Sequence, residues 1–153
     1  MPGETLYNCA DCRECSVKIP FFNLLDEKEL KTINKNRYAI KFHAGELILK
    51  QGLTSTHVIS LIRGEAKMYI EGFHGRNLLF KLLAPWQLID EASVFAHEIN
   101  QFSVSALTDV QVCFIEADKF KKAMQSNSDF ACAVIQHRST HSNYFYSRLV
   151  SLT

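Results

Sequence analysis

The sequence predicts a mainly β fold: an antiparallel double-sheet barrel with flanking helices and a long helix at its C-terminal end. Three observations predict it. Between residues 38 and 114 apolar residues recur in short runs with the two-residue period of strands. Turns bearing glycine separate those runs, at His43-Ala44-Gly45, at Arg63-Gly64 and at 72–77. From Ser128 to Thr153 there is neither Gly nor Pro, room for about seven helical turns. Short strands with no long helix between them suit two antiparallel sheets facing each other.

The totals agree with one globular domain. The chain has 153 residues, 47% of them hydrophobic and 22% charged. A formal net charge of +1 gives no basic excess of the kind nucleic acid attracts. No apolar run reaches the roughly 20 residues of a membrane span. The start, MPGETLYNCADC, has no basic stretch followed by an apolar core, so no secretion signal is read there. Five cysteines without such a signal point to a reducing compartment, and the cytoplasm is the expected location.

Taken in order, residues 1–19 form a polar, cysteine-rich arm, 20–127 the barrel and 128–153 the long helix. Asp26 with Glu29 three residues on is a capping box, and Leu30 and Ile33 behind it predict a helix over 26–35. Tyr38, Ile40 and Phe42 alternate as in a strand, as do Leu47 and Leu49 up to Gly52. The run HVISLI (57–62) is almost continuously apolar, as in a strand buried on both faces. Ala66, Met68 and Ile70 predict the next strand. Leu78, Phe80 and Leu82 predict another, ended by Pro85. Phe102, Val104 and Ala106, then Val110, Val112 and Phe114, predict the last two. Asp118 is placed as the cap of a short helix over 119–125. In the long helix Ile135, Arg138, Ser142, Phe145, Leu149 and Leu152 alternate in steps of three and four, an a/d seam that predicts a homodimer through this helix. The chain stops at Thr153 inside the predicted helix, which reads as an end within a longer protein.

The stretch Gly45-Glu46-Leu47-Ile48-Leu49-Lys50-Gln51-Gly52, followed by Gly64 after a further strand, resembles the cyclic-nucleotide-binding-like sensor domain of the CRP/FNR family of bacterial transcription regulators. The resemblance covers about residues 20–153. It implies a double-stranded β-helix of the jelly-roll type, with the last helix as the dimerisation helix. A helix-turn-helix domain follows in that family, so DNA would be bound only through a domain missing from this chain.

In nucleotide-binding members of that family a segment F-G-E-x-[AS]-L, then about nine residues, then R-[ST]-A, holds the cyclic phosphate. Here Leu88-Ile89-Asp90-Glu91-Ala92-Ser93 stands for its first part, with Asp90 in place of the glycine and the glutamate kept as Glu91. The arginine position falls on Asn100 or Gln101, both neutral. An arginine–phosphate contact at about 4 Å is worth roughly 4 kcal/mol at an effective dielectric near 20. Asp90 and Glu91 also place the protein's own anions at the start of a short helix, where a phosphate would otherwise be drawn. The expected pocket comprises Asp90, Glu91, Ala92, Ser93, Asn100, Gln101, Phe102 and Ser103, with His141 and Phe145 from the long helix. Whether side chains such as Phe102 and Tyr146 fill the barrel interior decides how much room a ligand has. No useful affinity for cyclic AMP or cyclic GMP is expected, and the small-molecule effector is unknown. The alternatives are a self-capped turn, a neutral or cationic ligand, and a nucleotide in an unusual pose.

Cys9, Cys12 and Cys15 form the other candidate site. Oxygen-sensing members resembling FNR hold an iron–sulfur cluster on three N-terminal cysteines and one distant cysteine in the barrel. The resemblance puts that distant ligand at Cys113 and a third N-terminal ligand at Lys18, where this chain has Cys15 instead. Four thiolates suit a [4Fe–4S] cluster or Zn²⁺. No cofactor is assigned: a cluster, zinc, a thiol switch and an unligated arm stay open, as does a plain core role for Cys113. Cys132 is read as packing, and His137 and His141 as a solvated helix face. No nucleophile elbow, H-E-x-x-H, P-loop or G-x-G-x-x-G occurs, so no enzyme is expected. The implied function is ligand or redox sensing and dimerisation in a CRP/FNR-like regulator. The alternative is a stand-alone β-roll interaction module.

Overall fold

The computed structural model describes residues 6–7, 20–89, 91–96 and 99–153. A five-stranded sheet has the order β1 (Leu6–Tyr7), β2 (Tyr38–Phe42), β9 (Val110–Glu116), β4 (His57–Arg63) and β7 (Leu88–Ile89). It faces a four-stranded sheet of order β3 (Leu47–Leu49), β8 (Ser103–Ala106), β5 (Ala66–Glu71) and β6 (Asn77–Leu83). All pairings are antiparallel, and the strand order is that of a roll with flanking helices.

The helices are α1 (Glu27–Asn34), α2 (Glu91–Ala96), α3 (Ala117–Ser126) and α4 (Ser128–Ser151), with a 3-10 turn over Pro20–Leu24. The capping box of α1 forms as read: Glu29 N donates to Asp26 Oδ1 at 2.8 Å and Asp26 N to Glu29 Oε1 at 2.9 Å. Asn127 joins the helices. Its Oδ1 caps α4 by accepting from Phe130 N at 3.0 Å, while its Nδ2 donates to Leu24 O and to Glu29. Asp118 is not a cap: α3 starts two residues earlier than expected, Glu116 holds the N-cap position, and Asp118 lies in the first turn.

Two hydrophobic cores lie on either side of the five-stranded sheet. The helix-side core contains Leu30, Ile33, Ala39, Val58, Ile62, Ile115, Phe120 and Phe130. The inner core, between the sheets, contains Phe42, Ile59, Leu61, Met68, Val104, Val110 and Val112. This is why HVISLI has no polar face: Val58 and Ile62 serve one core, Ile59 and Leu61 the other. Gly64 has φ +83°, and a Cβ there would sit 2.3 Å from the Asp109 carbonyl oxygen.

In β6 the expected alternation fails. The register against β5 steps from Met68↔Lys81 to Tyr69↔Leu79, a bulge at Phe80, so Leu83 is buried and Leu82 is 59% exposed. β1 and β7, of two residues each, are additions to the elements read from the sequence.

Candidate functional site

Segment 88–106 starts on the edge of one sheet and ends inside the other. β7 is an edge strand, so no further strand takes the Leu88 amide. His137 of α4 does: Leu88 N donates to His137 Nε2 at 3.2 Å. The His137 ring meets Phe21 edge-on, 5.6 Å between centroids. Burial first, then the charges of Lys81 and Arg138, hold its pKa below the usual histidine value and favour the neutral ring, and the bond from Leu88 N makes Nε2 its unprotonated nitrogen. The expectation of a solvated face is therefore wrong for His137, which is half-buried against the roll.

At the far end of the segment Asn100 and Gln101 part company. Gln101 is exposed, and its side chain folds back onto the Ile99 carbonyl at 3.1 Å. Asn100 is 2% exposed and locked to the turn after β3. Its Nδ2 donates to Lys50 O at 3.0 Å, its backbone N to Leu53 O at 2.8 Å, and its O accepts from Gly52 N at 2.9 Å. Its Oδ1 is buried without a hydrogen-bond partner. Of the two positions between which the arginine seat fell, Asn100 is the one turned into the domain.

Strand parity places the residues that follow. Val104 and Ala106 face the inner core, with Phe102 packed against it. Ser103 lies on the other face of β8, fully buried, where it donates to Glu71 Oε2 at 2.8 Å and accepts from Gln51 N at 2.9 Å. Lys50 Nζ lies 2.6 Å from the same carboxylate. Hydrogen bonds from Lys50 and then from Ser103 hold the Glu71 carboxyl below its usual pKa. The basic residue bordering the segment is thus already committed to a carboxylate. Among the described residues the buried polar side chains are Ser60, Asn100, Ser103, Ser105 and Gln111, none of them charged.

Tyr146 does not fill the roll; it is 61% exposed on α4, and Phe145 is half-buried beside it. Cys113 belongs to the helix-side core, and Arg37 Nη1 lies 3.1 Å from its sulfur. A guanidinium beside a thiol favours the thiolate, the form that ligates metals, but Cys113 is buried in the same apolar cluster as Ala39, Val58 and Ile115. Cys9, Cys12, Cys15 and Asp90 lie outside the described residues, as do the side chains of Glu91, Ala92, Ser93 and His141. Among the described residues no group of three or more His, Cys, Asp or Glu is placed to hold a metal ion, and no helix is long and apolar enough to cross a membrane.

Residues 39–127 match the cyclic nucleotide-binding domain family. The chain belongs to that family. Among curated proteins, cGMP-dependent protein kinase 2 of Mus musculus is 26% identical over 108 residues, 71% of this chain but 14% of the kinase. The same kinase of Homo sapiens matches equally, so the chain spans about one-seventh of these relatives' length. Solved structures share the fold of this cyclic nucleotide-binding domain. The sensor domain of the transcriptional regulator DNR from Pseudomonas aeruginosa superposes with a TM-score of 0.70 at 19% identity, covering 79% of this chain and 81% of that one. A putative transcriptional regulator of the crp/fnr family from Eubacterium rectale reaches 0.78 at 17% identity, with coverage of 88% and 63%. Catabolite Activator Protein of Thermus thermophilus reaches 0.67 at 18% identity, with coverage of 86% and 63%.

Proposed function

We propose that this cyclic nucleotide-binding domain is the sensor and dimerisation region of a CRP/FNR-like transcription regulator whose roll does not respond to cyclic nucleotides. The observation that carries the reading is Asn100. It is the inward-facing side chain where the family's arginine stands, it is neutral, and the described interior has no buried cation to replace it. Losing one arginine–phosphate contact worth roughly 4 kcal/mol weakens binding by two to three decades, since about 1.4 kcal/mol is one decade. Asp90 and Glu91 add like charge at the other end of the segment.

In this reading residues 1–19 are the arm, 20–127 the roll and 128–153 the pairing helix. The effector is a small molecule other than a cyclic phosphodiester, and its binding changes how two long helices lie together. DNA is read by a helix-turn-helix domain outside this stretch, so the stretch alone has no operator affinity. The thiols of Cys9, Cys12, Cys15 and Cys113 are a second input: a [4Fe–4S] cluster or Zn²⁺ held there supplies an oxidant-sensitive link between arm and roll. No catalytic role is assigned.

Titration calorimetry with millimolar cyclic AMP and cyclic GMP tests the main statement. No binding heat is expected, and micromolar affinity for either sinks the proposal. Anaerobic purification with iron and zinc analysis tests the second input, which a colourless, metal-free protein removes.

A further inference from the structure

Among the described residues one buried side-chain polar atom lacks a hydrogen-bond partner, Asn100 Oδ1. Its identity as an acceptor is fixed by the other half of the amide. Nδ2 donates to Lys50 O at 3.0 Å, and a carbonyl can only accept, so turning the amide over would set two oxygens against each other. The backbone holds the residue in place: Asn100 N donates to Leu53 O at 2.8 Å and Gly52 N to Asn100 O at 2.9 Å. A buried acceptor held this firmly without a partner is costly and calls for a donor.

The surroundings set the class of that donor. Leu49 and Phe102, which stand beside Lys50 and Gln101 in the chain, pack on the inner core and are half-buried, so this apolar wall is partly accessible. The inner core itself is apolar throughout, and none of the buried polar side chains described carries a charge. A cation at Oδ1 would bring in a charge that no described buried group balances. An anion has no hydrogen to give the oxygen.

We propose that the roll takes a neutral, mainly apolar ligand that donates one N–H or O–H to Asn100 Oδ1. The inference rests on the reading above, in which the effector is not a cyclic phosphodiester, and it names the effector's chemistry. The sense of the hydrogen bond is reversed: an arginine in this seat would give hydrogen bonds to a phosphate, whereas Asn100 receives one from the ligand. Oδ1 is covered, so a donor reaches it only as the chain around Asn100 shifts, and occupancy and movement are one event.

The test uses the full chain and three probes of similar size. Indole is neutral and has one N–H, benzofuran has the same shape with an oxygen in place of the N–H, and benzylammonium is a cation. Titration calorimetry gives the affinities, and the side-chain amide resonances of the ¹⁵N-labelled protein report on Asn100. Indole is expected to bind about tenfold or more tightly than benzofuran, to bind more tightly than benzylammonium, and to shift the Asn100 Nδ2 resonance. In Asn100→Leu the preference for indole over benzofuran should vanish, and the wild-type comparison stands even where that variant does not fold. Indole no tighter than benzofuran, an unmoved Asn100 amide, tighter binding of benzylammonium, or no binding of any probe overturns the inference and leaves the reading above intact. Micromolar affinity for cyclic GMP removes that reading, and this inference with it.

Discussion

Replacing His137 with Phe tests whether α4 is bolted to the strand that leads into the candidate site. Phenylalanine keeps a ring against Phe21 but removes the acceptor for Leu88 N, a buried amide on an edge strand. A buried donor left unsatisfied costs about 1–3 kcal/mol. With a urea m-value of about 1–3 kcal/mol/M, the midpoint at pH 8 is expected to fall by on the order of 1 M with m unchanged. His137→Gln returns an acceptor and is expected to recover part of the loss. The pH dependence has a definite sign. Burial, Lys81 and Arg138 put the folded pKa of His137 below the unfolded value of about 6.5, so the unfolded chain takes up the proton first as pH falls. The bolt's stabilisation is therefore full above about pH 6.5, is lost as pH falls from there toward the folded value, and levels off below it. The gap between wild type and His137→Phe should close over that window. His57, whose pKa burial also lowers despite Glu116, titrates in both proteins and cancels in the comparison. A gap under about 0.5 kcal/mol at pH 8, or one that does not change with pH, refutes the reasoning.

Gly64→Ala and Gly45→Ala separate conformational strain from collision. Both glycines have positive φ, worth about 1–2 kcal/mol against any Cβ, but only Gly64 adds contact with the Asp109 carbonyl at 2.3 Å. Gly64→Ala should cost at least about 2 kcal/mol more in chemical denaturation, and equal costs remove the collision argument. The double variant Asp90→Gly with Asn100→Arg restores the family's charge pattern and should bind cyclic GMP at least about tenfold more tightly by calorimetry than either single variant. A folded double variant with no heat would mean that charge is not what closes the roll to phosphates.

Much of the architecture was legible because local chemistry and burial agree. Asp26 and Glu29 announce α1, Gly64 marks a reversal no other residue fits, and the unbroken HVISLI run reports two buried faces. The misreadings occur where local pattern underdetermines geometry. Two-residue strands such as β1 and β7 have too little length to show a period. The bulge in β6 shifts the parity that Leu78, Phe80 and Leu82 suggested. Trp86 follows Pro85 at φ +72°, a seat in which a turn usually places glycine, and nothing in the residue type signals it. The site shows the same limit. Spacing could not choose between Asn100 and Gln101, whereas burial does, and Ser103 lies beyond a parity change that sends it to Glu71 instead of inward.

The bonds at the two ends of segment 88–100 suggest how strain there would travel. At the Asn100 end three hydrogen bonds of 2.8–3.0 Å tie the chain to Lys50, Gly52 and Leu53. At the Leu88 end β7 pairs with β4, with Leu61 N donating to Gln87 O at 3.1 Å and Trp86 N to Leu61 O at 2.9 Å, and the outward Leu88 amide is held by one bond of 3.2 Å to α4. A ligand that displaces α2 pulls on both ends, and the bond at the Leu88 end that reaches outside the sheet is the single one to His137. Displacement of β7 therefore reaches α4 through that bond, and displacement of Asn100 reaches the turn after β3. In spontaneous opening local protection follows the bond each amide must break, 3.2 Å for Leu88 against 2.9 Å for Gly52 and 2.8 Å for Asn100. Amide hydrogen exchange should therefore be faster at Leu88 than at Gly52 and Asn100, and His137→Phe should accelerate Leu88 alone. If Asn100 exchanges first, the segment opens toward the turn, and α4 is not the element that receives the movement.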